Sequence, residues 1–131
     1  GLADNARSSL RRVTGAVRRL RASKGTLAQV HPDLDIIVSP TVGQVPPELG
    51  ELSIDQDFDE LLPKLTEWTC FTPLANATGA PPVSLPLGFH EPTGMPIGVM
   101  FSADLGRERA LLALALQIEQ AAPFRRIQDQ A

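Results

Sequence analysis

Apolar positions divide the chain into helical and extended stretches. Ala6, Leu10, Val13, Val17 and Leu20 recur in alternating steps of four and three, one stripe of a helix from Asn5 to about Arg21. Asp4 is placed to cap it, and Gly15 inside it costs about 1 kcal/mol relative to Ala. Gly25 is its natural stop, and Thr26 to Val30 form a short extra turn before Pro32. Asp35-Ile36-Ile37-Val38-Ser39-Pro40 is a β-branched run without polar alternation. It predicts a buried strand, parallel to its neighbour because it follows a helix. Thr41 to Leu52, broken by Pro46, Pro47 and glycines, predicts an ordered loop over the sheet end, where α/β proteins often line a ligand crevice.

Ser53-Ile54-Asp55-Gln56 has capping-box spacing and predicts a weak helix from Ile54 to Leu62, interrupted at Pro63. Lys64 to Cys70 reads as helix or irregular structure. Asn76 to Gly79 reads as a turn. Val83 to Leu87 forms a strand bounded by prolines, where missing N–H donors do least harm. After a loop from Gly88 to Gly94, Ile97 to Phe101 returns antiparallel to it. Gly98 within that strand implies close approach by a neighbour.

Arg107 to about Ala122 is the clearest helix. Leu111, Leu114, Ala115, Ile118 and Ala122 line one face, and Leu112 and Leu116 widen it. Pro123 ends it, Phe124 anchors the tail, and 125–131 fray. These wide apolar faces exceed what so few elements can cover for one another. The expected fold class is therefore α/β, with this chain forming part of a mixed β-sheet flanked by helices.

Composition refines this picture without changing it. The 131 residues fit a single domain at most. With 5% aromatic residues and no Tyr, the core must be aliphatic. The net charge of −3 names no partner class, but the charge is unevenly spread. Seven basic residues and no acid lie between Arg7 and Lys24, while nine acids and one Lys lie between Asp33 and Glu67. No nucleic-acid motif or stacking aromatic accompanies the arginines, which favours a solvated helix face over nucleic-acid binding. The single cysteine, Cys70, fits a reducing, cytoplasmic setting and reads as a small buried hydrophobe. No apolar run suggests a signal peptide or membrane span. The start at Gly1 rather than Met suggests a processed chain or a fragment.

Most common chemical constellations are missing from the sequence. It has no Gly-x-Ser-x-Gly elbow, no phosphate-binding glycine loop and no metal-ligand spacing, so no cofactor or metal is expected. Asp55, Asp57, Asp59 and Glu60 read as an acidic helix start. His31 and His90 read as surface histidines, and Ser39 and Ser84 as structural strand residues.

Three segments, however, resemble one enzyme family in order and spacing. They are Asp35-Ile36-Ile37-Val38-Ser39-Pro40-Thr41, then Phe71-Thr72-Pro73 with Asn76-Ala77-Thr78-Gly79 and Pro82-Val83-Ser84-Leu85-Pro86, then Gly94-Met95-Pro96-Ile97-Gly98-Val99. The Leu-rich helix with Glu119, followed by Pro123-Phe124, completes the order. The chain resembles the C-terminal portion of an amidase signature enzyme, nearest the branch of 6-aminohexanoate-cyclic-dimer hydrolases.

The resemblance implies hydrolysis of amide C–N bonds by a Ser nucleophile, a second Ser in a cis peptide and a Lys, with backbone N–H groups as oxyanion hole. None of those catalytic residues matches a position here, and Lys24 and Lys64 fit no catalytic motif. The resemblance places Trp68, Thr69 and Phe71 at a pocket for a small-molecule amide. Thr69 loosely matches an acid that reads an amino group in one branch, so uncharged amides are expected. The implied partners are the missing N-terminal portion or a second copy of the chain, with no nucleic acid or membrane. The other reading is a non-catalytic binding or assembly module that keeps the fold.

Overall fold

The structure, a computed structural model, describes residues 12–20, 22–23 and 33–124. Residues 12–20 are helical and form α1. Then come β1 (Ile37–Pro40), α2 (Phe58–Trp68), α3 (Thr72–Thr78), β2 (Pro82–His90), β3 (Met95–Ser102) and α4 (Glu108–Ala121). The expected cap at Asp4, the stop at Gly25, the turn at Thr26 to Val30 and the fraying at 125–131 lie outside the described residues.

The three strands form one sheet in the order β1-β3-β2. Both pairings are antiparallel, which corrects the parallel expectation for β1. That expectation assumed a helical crossover to a sequence neighbour. The actual partner is β3, with Ile37 opposite Ser102 and Pro40 opposite Val99. The β2–β3 hairpin is as expected, but both strands run past their predicted ends to a tight turn closed by Gly94 N–H donating to the His90 carbonyl at 2.8 Å. Gly94 sits at φ 67°, a conformation glycine adopts readily. A register shift between Pro86 and Gly88 marks a bulge.

Directly opposed residues share a sheet face. One face carries Val83, Leu85, Val99 and Phe101, and α4 packs on it. Leu85, Phe101, Ala103 and Leu111 are its buried centre, with Leu114, Ala115, Ile118 and Phe124 against them. Phe124 thus anchors the chain beyond α4 as expected. The other face carries Ile37, Ser39, Met100 and Ser102, and α3 lies across it through Leu74, Ala75 and Thr78. The sheet therefore has helices on both faces. The helix stripes are less covered than their width predicts. Leu112 and Leu116 on α4 are exposed, as are Val13, Val17 and Leu20 on α1.

Two further expectations are corrected. The Ser53-x-x-Gln56 segment forms turns, and the helix starts later, where the Asp57 side chain accepts from the Asp59 N–H. Pro63 does not interrupt this helix but lies inside it. The proline forgoes one backbone bond to Asp59, while Leu61, two residues earlier in the same helix, is buried. The segment read as a turn at Asn76 to Gly79 is the end of α3, whose cap Gly79 is left-handed at φ 75°. Among the described residues no helix is long and apolar enough to cross a membrane.

Candidate functional site

The candidate residues lie where α2 hands over to α3. Thr69 caps α2, its N–H and its hydroxyl both donating to the Leu65 carbonyl, at 2.9 and 2.7 Å. Thr69 in turn accepts from the Thr72 N–H at 3.2 Å, which starts α3. This tight junction turns Trp68 and Phe71 into different surroundings.

Trp68 faces a cavity of about 270 Å³ between the loop Val42–Pro46 and the hairpin end at His90 and Met95–Gly98. Its indole Nε1 is buried and has no hydrogen-bond partner among the described residues. Phe71 lines a second cavity of about 220 Å³ with Ile37, Ser39, Leu74, Met100 and Ser102, between α3 and the sheet. Thr69 lines neither cavity. The structure thus brings the three residues together along the chain but divides the two aromatic side chains between two pockets.

Close backbone contacts at two glycines fix the loop that walls the Trp68 cavity. Gly43 N–H donates to the Trp68 carbonyl at 2.9 Å. A Cβ on Gly43 would overlap the Glu67 carbonyl oxygen and lie 3.0 Å from Cys70 Sγ. At the loop's start, Thr41 N–H donates to the Gly98 carbonyl at 3.0 Å. The Thr41 hydroxyl meets the Ser84 hydroxyl at 2.5 Å above Gly98. A Cβ on Gly98 would lie 2.7 Å from Thr41 Oγ1 and 3.0 Å from Ser84 Oγ. The close approach expected at Gly98 is therefore this hydroxyl pair. Gly98 signalled it in the sequence, but no local pattern could name Thr41 and Ser84 as the neighbours.

The remaining reactive side chains have ordinary partners. Ser84 is held by Thr41, and the Ser39 hydroxyl donates to the Pro40 carbonyl. Lys64 Nζ donates to Gln56 Oε1 at 2.8 Å. His90 Nδ1 pairs with the Thr93 hydroxyl at 2.8 Å in the hairpin turn. Cys70 is exposed, not buried, because it follows the end of α2 in the turn before α3. Among the described residues no group of His, Cys, Asp and Glu could hold a metal ion. Arg107 and Asp35 form an exposed ion pair at 2.7 Å that ties the start of α4 to the strand entry.

Comparison with known proteins shows the family. The family profile described as Amidase matches residues 3–112. The chain is 40% identical over 128 residues to a putative amidase, AmiC, of Mycobacterium leprae, covering 98% of this chain and 27% of that protein. It is 38% identical over 96 residues to a 6-aminohexanoate-cyclic-dimer hydrolase of a Pseudomonas strain, covering 69% of this chain and 19% of that enzyme. A solved structure of 6-aminohexanoate cyclic dimer hydrolase complexed with substrate superposes with a TM-score of 0.75 at 34% identity, over 90% of this chain and 26% of that one. The chain spans between about a fifth and about a quarter of the length of these relatives. With the family profile matching most of its length, this chain belongs to the amidase family.

Proposed function

We propose that these 131 residues are the C-terminal portion of an enzyme that hydrolyses a carboxylic amide C–N bond. The serines and lysine that perform the chemistry lie in the part of the enzyme outside this chain. The observation that carries this reading is the shared sequence and fold with 6-aminohexanoate cyclic dimer hydrolase over most of this chain but only a quarter of that enzyme. The partners assigned to Ser39, Ser84 and Lys64 support it, since none of these side chains contacts a group that would activate it as nucleophile or base.

In this reading the chain supplies scaffold and apolar wall. Trp68 and Phe71 offer aromatic surface to an uncharged amide in the assembled enzyme, and Thr69 fixes the junction that sets them apart. The indole N–H of Trp68 is buried without a hydrogen-bond partner among the described residues, so an amide carbonyl that reached it as the cavity wall shifted would satisfy it. A reducing, cytoplasmic setting fits the single cysteine.

The test uses an aryl amide whose hydrolysis releases a chromophoric amine. The purified 131-residue chain releases none above the uncatalysed rate. The same residues set in place of the matched quarter of the Mycobacterium leprae AmiC restore turnover. In that graft Trp68→Ala raises KM with a smaller effect on kcat. Turnover by the isolated chain, or unchanged KM in a folded Trp68→Ala graft, contradicts the corresponding part of the proposal.

A further inference from the structure

One side-chain contact reaches across the whole width of the sheet. β3 lies between β1 and β2. Thr41 follows β1 and Ser84 lies on β2, yet their hydroxyls meet at 2.5 Å over the middle strand. Gly98 permits this, because a Cβ there would lie 2.7 Å from Thr41 Oγ1 and 3.0 Å from Ser84 Oγ. Thr41 N–H also donates to the Gly98 carbonyl. The pair is thus fixed above one residue of β3.

It stands at the foot of the loop that walls the Trp68 cavity. Pro40, Val42 and Gly98 line that cavity, while Thr41 and Ser84 do not. Beyond Thr41 the loop is next held at Gly43, whose N–H donates to the Trp68 carbonyl. Gln44 to Pro47 make no hydrogen bond among the described residues, so the wall takes its position from Thr41 and Gly43. Of the three bonds at those two residues, two are backbone bonds and only the hydroxyl pair depends on side chains. Thr41 is half-buried and Ser84 is exposed. Water can replace a hydroxyl lost from such a pair, so the contact adds little to global stability. Its consequence is local, since it decides where the loop leaves the sheet.

We propose that the Thr41–Ser84 pair positions the cavity wall for substrate binding. The two hydroxyls touch no substrate and take no part in bond cleavage. They hold Thr41 over Gly98, and through it they hold Val42–Pro46 at a set distance from Trp68. Gln44 to Pro47 can then yield to an entering amide while the foot of the loop stays in place. The inference rests on reading the Trp68 cavity as a pocket for an uncharged amide, and it adds the residues that set the width of that pocket.

Trp68 is the only tryptophan of the chain, so acrylamide quenching of its fluorescence in the isolated chain reports on the wall. Thr41→Val and Ser84→Ala should each raise the quenching constant about twofold, because the loop opens locally without unfolding. Thr41→Ser keeps the hydroxyl and should leave the parent value. The double variant should be no worse than either single one, since groups that act through one contact are not additive. In the AmiC graft Thr41→Val and Ser84→Ala should raise KM for the aryl amide about threefold to tenfold with kcat within about twofold, and Thr41→Ser should keep the parent KM. Leu111→Val, a core change under α4, is the control for general loosening and should move neither quenching nor KM. Additive effects, a Thr41→Ser loss equal to that of Thr41→Val, a parental KM in a folded Ser84→Ala graft, or an equal KM shift in Leu111→Val overturns the proposal. Should Thr41→Val fail to fold, Ser84→Ala at the exposed partner gives the same reading. A parent graft without turnover counts against the amidase reading alone, and quenching in the isolated chain still decides whether the pair holds the wall.

Discussion

At the scale of single residues, the candidate site depends on atoms that are missing as much as on those present. Gly43 and Gly98 allow the loop after β1 to lie against α2 at one point and β3 at another. Gly98→Ala would push apart the Thr41 and Ser84 hydroxyls, which have some room to give, and should cost about 1–3 kcal/mol. Gly43→Ala meets a backbone carbonyl that cannot rotate away, so it should cost more and break the bond to Trp68. Denaturant midpoints of the two variants check the order, and equal losses would contradict it. Thr78 offers a second case. It is 1% exposed, its hydroxyl donates to the Leu74 carbonyl at 2.8 Å and accepts from the Ala80 N–H at 3.3 Å. Thr78→Val conserves shape but leaves that buried N–H unpaired. A loss of about 1–3 kcal/mol is expected in equilibrium unfolding, and an unchanged midpoint would show that the N–H finds another acceptor.

At the scale of elements, α4 carries the sharpest contrast between neighbours. Leu111 is 3% exposed in the core, and Leu112 is 67% exposed. Leu111→Ala should cost about 2–5 kcal/mol. Leu112→Ala should stay within about 0.5 kcal/mol in the isolated chain. Comparable losses would mean that the helix is rotated about its axis. Much of this was legible in the sequence. The prolines around Val83 to Leu87, the glycine at 98 and the spacing of leucines in α4 identify their elements because each signal is local. Other features were not legible for physical reasons. The direction of β1 depends on a partner some sixty residues later in sequence. Asn76 to Gly79 looks like a turn because a seven-residue helix shows little periodicity, although Gly79 correctly marked its end. The division of Trp68 from Phe71 depends on the angle between two helices, which no spacing encodes. The loop from Thr41, by contrast, was correctly expected at the end of the sheet, where it walls the Trp68 cavity.

At the scale of the whole molecule, the exposed apolar faces and the share of relatives covered point the same way. Val38, Leu112 and Leu116 are exposed here, as are Val13 and Val17, and an adjoining part of an enzyme would cover such surface. On the proposed reading the family's chemistry requires both parts, and this chain brings structure and pocket wall rather than nucleophile or base. The most direct measurement is amide turnover by equal amounts of the isolated 131-residue chain and of the AmiC graft, each first shown to be folded. No turnover above background is expected from the chain, and readily measured turnover is expected from the graft. Hydrolysis by the isolated chain would contradict this division of labour.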